Sequence, residues 1–189
     1  MKLLEDKIKE NGEIIGNDTV KVDMFLNHQI DVGLLNEIGK EFKRLFSDKN
    51  INKIVTIEAS GIGIACVTAQ YFNVPVVFAK KGIHRNVGND IYSGEVYSFT
   101  KGVTQQIGIS KKYLTADDRI LIIDDFLANG GAVKGLIHLA EQAGAVIEGV
   151  GIVVEKGFQD GGKELRKMGY DIKSLAIIKS IDDGIITFG

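Results

Sequence analysis

Four aliphatic runs of strand length, each ending abruptly on charged or glycine-rich residues, constrain this chain most. They are KIVTI before EASG (53–61), VPVVFA before KK (74–81), ILII before DDFLANGG (120–131) and GVGIVV before EKG (149–157). A strand with one wet face alternates apolar and polar residues, whereas nearly continuous aliphatic runs belong to strands buried on both faces. Between the runs, apolar positions recur at helical spacing. The fold class expected is therefore α/β, a central parallel sheet flanked by helices. Ligands in such sheets lie beyond the carboxyl ends of the strands, which is where all four terminating segments fall. One shared site is expected there.

Composition narrows the function classes. A chain of 189 residues fits one domain and can bury a substantial core. With 44% hydrophobic and 25% charged residues it reads as a soluble globular protein. A formal net charge of −2 argues against nonspecific binding to nucleic acid or membrane. A phosphate ligand would have to be held by local features. Cys66 is the single cysteine, so no intramolecular disulfide can form, and its apolar neighbours in GIACV predict a buried thiol. No apolar run reaches the roughly 20 residues of a membrane span, and the charged N-terminus MKLLEDKIKENG lacks a signal-peptide core. A cytoplasmic location is expected.

Periodicity predicts helices at 2–10 and 33–46, a small-residue helix from about 60 to 72, and another at 131–143. The polar stretch GIHRNVGNDIYSG (82–94) reads as a loop, followed by a hairpin or sheet edge from EVYSFT and TQQIGIS. QDGGKE (159–164) reads as a turn. His28, His84 and His138 have no metal-ligand spacing.

The stretch DDFLANGG raises the chemical question. Asn129, Gly130 and Gly131 leave backbone N–H groups open just where a helix presents its positive end, an arrangement that cradles phosphate without lysine. An ordinary capped strand-to-helix turn would read the same way. Asp124 and Asp125 do not suit a phosphate alone, since carboxylates repel anions. They suit a ligand that is also a polyol or carries Mg²⁺, and a phosphorylated sugar meets both conditions. Gly61 and Gly63 begin a dinucleotide fingerprint, but its third glycine falls at Cys66, so the fingerprint fails. Lys80 and Lys81 point to opposite sides of a strand, so only one can serve a given site. Lys156, at the end of an aliphatic run, can only donate and suits a carbonyl oxygen.

ILIIDDFLANGGA resembles the 5-phosphoribosyl 1-pyrophosphate (PRPP) motif of type I phosphoribosyltransferases, the purine/pyrimidine phosphoribosyltransferase family. With VDMFLNHQID, KIVTIEASGI, VPVVFAKK, VYSFTK and GVGIVVEKGFQ, the likeness covers nearly the whole chain and points to the bacterial members acting on xanthine. The resemblance implies the type I phosphoribosyltransferase fold, with a small hood built from about 1–30 and 157–189 over a core of about 31–156. It implies purine salvage: transfer of the phosphoribosyl group from PRPP to xanthine, giving xanthosine 5′-monophosphate and pyrophosphate, with Mg²⁺ bound mainly through PRPP and a homodimeric assembly.

It also assigns roles. Asp124 and Asp125 are the catalytic pair beside the ribose. Ala128, Asn129, Gly130, Gly131 and Ala132 hold the 5′-phosphate, while Glu58, Ala59, Ser60, Gly61 and Lys81 hold the pyrophosphate. Val20, Asn27 and Lys156 read the purine, with Phe158 available to stack on it. Departures are visible. Relatives carry threonines where Asn129 and Ala132 stand, and some hypoxanthine-guanine enzymes carry an aspartate at Ala128, so the acceptor of the purine's proton stays unassigned. Two alternatives stand beside this reading: the same reaction on hypoxanthine or guanine, and a non-catalytic PRPP-sensing regulator, which the acidic balance and the lack of a helix-turn-helix pattern disfavour.

Overall fold

The computed structural model describes residues 1–16, 18–82, 90–98 and 102–189. The chain opens with helix α1 (Lys2–Asn11), a small hairpin of β1 (Glu13–Ile15) and β2 (Thr19–Lys21), and a wide helical turn at Asp23–Asn27. Helix α2 (Val32–Leu45) leads to β3 (Lys53–Ile57), α3 (Ser60–Phe72) and β4 (Val76–Lys81). The hairpin of β5 (Ile91–Ser98) and β6 (Val103–Ser110) precedes β7 (Arg119–Leu127), α4 (Gly131–Ala143) and β8 (Val146–Lys156). Helix α5 (Gly161–Lys167), β9 (Ile172–Asp182) and β10 (Ile185–Phe188) complete it.

The main sheet has eight strands in the order β10-β9-β8-β7-β3-β4-β6-β5. The five central strands, β9 to β4, are parallel. The expected central parallel sheet is present, and at its edges β6 pairs antiparallel with β4 and β10 antiparallel with β9. Between β9 and β10 only Asp183 and Gly184 intervene, and so short a connection permits only antiparallel pairing. The alternating segments after residue 94 do form a hairpin, but its first strand begins at Ile91, inside the expected 82–94 loop. Residues 83–89 of that stretch, His84 included, lie outside the described residues.

Successive side chains of the central strands go to opposite faces and fill two cores. Ile54, Leu121 and Ile123 pack with α1, α2 and α3, whereas Val55, Ile120 and Ile122 pack with α4. Asp31 caps α2, its carboxylate accepting from the Leu34 N–H at 3.0 Å. Segment 157–189 supplies β9 and β10 to the main sheet, and α1 packs against β9.

Cys66 is exposed, against expectation. Helix α3 buries Gly61, Ile64, Ala65, Thr68 and Ala69 as one stripe, and Cys66 falls off that stripe. Because α3 is apolar nearly all round, its sequence does not mark the inner face. Likewise QDGGKE is no plain turn, since α5 starts at Gly161.

Candidate functional site

In a doubly wound sheet the crevice opens where the chain's direction of winding reverses. Here that place lies between β3 and β7, because the chain leaves β3 toward β4 but leaves β7 toward β8 on the opposite side. The segment after β3, Glu58–Gly61, and the last residues of β7 with the loop after it, Asp124–Gly131, therefore flank one crevice.

Contacts bring the two segments together. A Cβ placed on Gly61 would lie 3.5 Å from Asp124 Oδ1 and 2.1 Å from Thr56 Oγ1, so a side chain here would collide with the strand ends. Thr56 is fully buried, and its hydroxyl has no partner among the described residues. Sequence reading passed over this residue, since a lone threonine in an aliphatic strand gives no signal. The peptide between Glu58 and Ala59 is cis. The Glu58 carboxylate accepts from the Lys81 backbone N–H, tying the end of β4 to this loop.

Asp124 is only 4% exposed, and its Oδ1 accepts from the Asp125 N–H at 3.0 Å. Burial pushes its carboxyl well above the usual range, and the charge and hydrogen bond of Asp125 add to the rise. The Asp125 backbone N–H and the charge of Lys81 oppose it. Asp125 itself is half-buried.

Beyond the acids, Ala128 to Val133 line a cavity of about 200 Å³ together with Lys81, Val96, Tyr97 and Gln105. Lys80 faces a different hollow, with Phe78 and Tyr113. Gly130 adopts φ +79°, a left-handed conformation that glycine enters freely. No side chain caps α4 at this end, so its first-turn N–H groups stay available to an anion. The hairpin residues Val96, Tyr97 and Gln105 were not foreseen, because only tertiary folding lays β5 and β6 beside the loop.

The residues expected to read a base lie at the other side of the crevice. Lys156 ends β8, and its ammonium donates to the Asp18 carbonyl at 2.8 Å, bridging to the β1–β2 turn. Burial lowers its pKa, with the Asp18 charge opposing. Asn27 closes the turn after β2 with its Oδ1 buried and without a partner among the described residues. Val20 sits inside the core with Val22, Phe25 and Leu26, so most of its surface is spent on packing. Phe158 is 39% exposed on the loop after Lys156.

No group of three or more His, Cys, Asp or Glu side chains among the described residues could cage a metal. His28 and His138 are exposed. A divalent ion would have to rely on one or two carboxylates plus oxygens of its own ligand, a mode that suits Mg²⁺. Asp125 and Asp124 fit that limited part. No helix among the described residues is long and apolar enough to cross a membrane.

Comparison with known proteins bears on the family and the fold. The family model described as "Phosphoribosyl transferase domain" matches residues 22–188. A protein of Ruminiclostridium cellulolyticum named xanthine phosphoribosyltransferase is 63% identical over 188 residues, covering 100% of this chain and 99% of the relative. One of the same name from Clostridium tetani is 58% identical, with both chains fully covered. Among solved structures, adenine phosphoribosyltransferase from Thermoanaerobacter pseudethanolicus superposes with a TM-score of 0.72 at 27% identity, over 92% of this chain and 98% of that one. The Giardia lamblia adenine enzyme, at 22% identity and a TM-score of 0.76 over 92% and 96%, shares the fold. A family match over residues 22–188 and a relative 63% identical across the full chain show that the chain belongs to the phosphoribosyltransferase family.

Proposed function

We propose that this protein transfers the 5-phosphoribosyl group of PRPP to xanthine, releasing pyrophosphate and forming xanthosine 5′-monophosphate. The observation that carries the reading is the approach of Gly61 to Asp124 at the ends of β3 and β7, with the 128–133 loop that follows Asp124 lining a cavity beside Lys81, in a chain 63% identical to a relative named for that activity.

Each residue then has a physical task. The open N–H groups from Gly130 onward hold the 5′-phosphate, which lines up C1′ with the base. Glu58, Ala59, Ser60 and Gly61 present backbone to the pyrophosphate, and Lys81 adds a positive charge on that side. Asp124 and Asp125 lie beside the ribose, where negative charge favours the oxocarbenium-like sugar as the leaving group departs. Mg²⁺, held mainly by PRPP, supplies charge neutralisation on the departing pyrophosphate. Lys156 donates to an exocyclic oxygen of the purine, Asn27 offers both a donor and an acceptor, and Val20 backs them from the hood formed by the N-terminal 30 residues and the tail. An amino group at the position Lys156 reads would set donor against donor, which disfavours adenine. We further propose a cytoplasmic homodimer, for which light scattering should return twice the chain mass.

The test is ultraviolet-monitored nucleotide formation with Mg²⁺ and PRPP on xanthine, guanine, hypoxanthine and adenine in parallel. Preference for xanthine is expected. Turnover led by guanine or hypoxanthine would overturn the substrate, and PRPP binding without turnover on any base would overturn the activity.

A further inference from the structure

Strand β8 ends on two successive charges, Glu155 and Lys156, whose side chains leave in opposite directions. Lys156 goes to the hood. Glu155 goes inward and is only 4% exposed. A carboxylate that deep needs partners for its lone pairs, and three donors reach it. Arg166 Nη1 and Nη2 each donate at 2.7 Å, one to Oε1 and one to Oε2, and the Ser174 hydroxyl donates to Oε2. Burial alone would raise the carboxyl's pKa, but hydrogen bonds from Arg166 and Ser174 and the guanidinium charge hold it below the usual range.

Arg166 belongs to α5, and that short helix touches two places at once. At Gly162 a Cβ would lie 2.1 Å from Glu155 Oε1. At Gly161 it would lie 2.3 Å from the Ala128 carbonyl oxygen and 2.6 Å from Gly130 N. The Gly161 N–H donates to that same carbonyl at 3.1 Å, and Lys134 pairs with Glu164 at 2.6 Å between α4 and α5. A continuous series of contacts therefore runs from the strand end carrying Lys156, through Glu155 and Arg166, to the 128–130 loop.

We propose that Glu155, Arg166 and Ser174 are positioning residues: through α5 they hold the 5′-phosphate loop in register with the purine-reading end of β8. The proposal rests on the PRPP reading of that loop. A rigid link of this kind sets the distance between phosphate and base, on which alignment of C1′ depends.

The test compares R166M, E155Q/R166M, S174A and G161A with wild type, reading calorimetric PRPP Kd with Mg²⁺, KM for xanthine, kcat and thermal midpoint. The double variant avoids leaving a buried charge unpaired. G161A displaces the loop without touching the ion pair. E155Q/R166M and G161A should each weaken PRPP binding by about tenfold or more, as loss of supporting contacts around a site commonly does, while still unfolding cooperatively. R166K, which cannot donate in a fork, should recover part of the loss in R166M.

Unchanged PRPP Kd and xanthine KM in E155Q/R166M, with only the thermal midpoint lowered, would reduce the clamp to a structural role and overturn the proposal. Should the double variant fail to fold, S174A and G161A decide it: unchanged PRPP Kd in both overturns it, and weakened binding in both supports it. Wild type that binds PRPP but leaves xanthine unconverted would overturn the proposed activity while the clamp is still read through Kd. Wild type that fails to bind PRPP would overturn both.

Discussion

Asp124 carries a cost in stability at the place proposed for the ribose. Its folded pKa is raised above the ordinary 3.8, so ionising it costs more in the folded chain than in the unfolded one. The stability associated with this group is fully present below pH 3.8 and is lost as pH rises through the raised folded value. Removing the neighbouring charge should relieve that cost. Asp125→Asn is expected to stabilise the fold near neutrality by on the order of 1 kcal/mol, while depressing kcat sharply. Urea titration and steady-state assays on one preparation check both signs. Lys156 titrates the opposite way. Its pKa is lowered by burial, so its charge is lost at a lower pH than that of an exposed lysine. KM for xanthine should rise on the alkaline side in wild type, whereas Lys156→Arg, which keeps its charge there, should lack that limb. Of the residues proposed for these roles, the adjacent pair Asp124–Asp125 and the run Asn129–Gly131 stand out in the sequence because they are contiguous and break an aliphatic strand. Glu155 was not, because its partners Arg166 and Ser174 lie 11 and 19 positions away.

Among the elements, strands were read more reliably than faces or starts. An aliphatic run of strand length leaves few alternatives, and β3, β4, β7 and β8 fall where such runs stand. The start of β5 at Ile91 was missed because Asp90 and Gly94 carry loop signals; pairing with β6 overrides them. The same hairpin illustrates close packing on α4. A Cβ at Gly135 would lie 2.4 Å from Val96 Cγ2. Gly135→Ala should therefore push β5 off the helix, at about 1–3 kcal/mol of overpacking, measured by urea denaturation. PRPP affinity should fall with it, because Val96 also lines the loop cavity.

At the scale of the whole molecule, the two cores divide the labour. The core under α4 backs the side of the 128–133 loop, and the other joins the sheet to α1, α2, α3 and to Val20, Val22, Phe25 and Leu26. Ile8 of α1 is fully buried in that second core, so Ile8→Ala should cost about 2–5 kcal/mol, read by chemical denaturation. Acid should act through Glu155. Its pKa is lowered from the ordinary 4.5 by Arg166 and Ser174 against the opposing effect of burial. The stability it contributes is present above pH 4.5 and lost as pH falls through the folded value. A pH series of thermal midpoints should show that acid loss in wild type and a shallower one in E155Q/R166M.

By itself the sequence determined the α/β class and the positions of the four strands, β4 among them although only its Ala79 is buried, and it pointed to their carboxyl ends as the place of the proposed site, because aliphatic runs and the residues that interrupt them are local signals. Tertiary structure alone decided which face α3 buries, how the sheet is edged, and which distant charges neutralise Glu155. Those outcomes depend on contacts between segments far apart in the chain, where no periodicity records the partner.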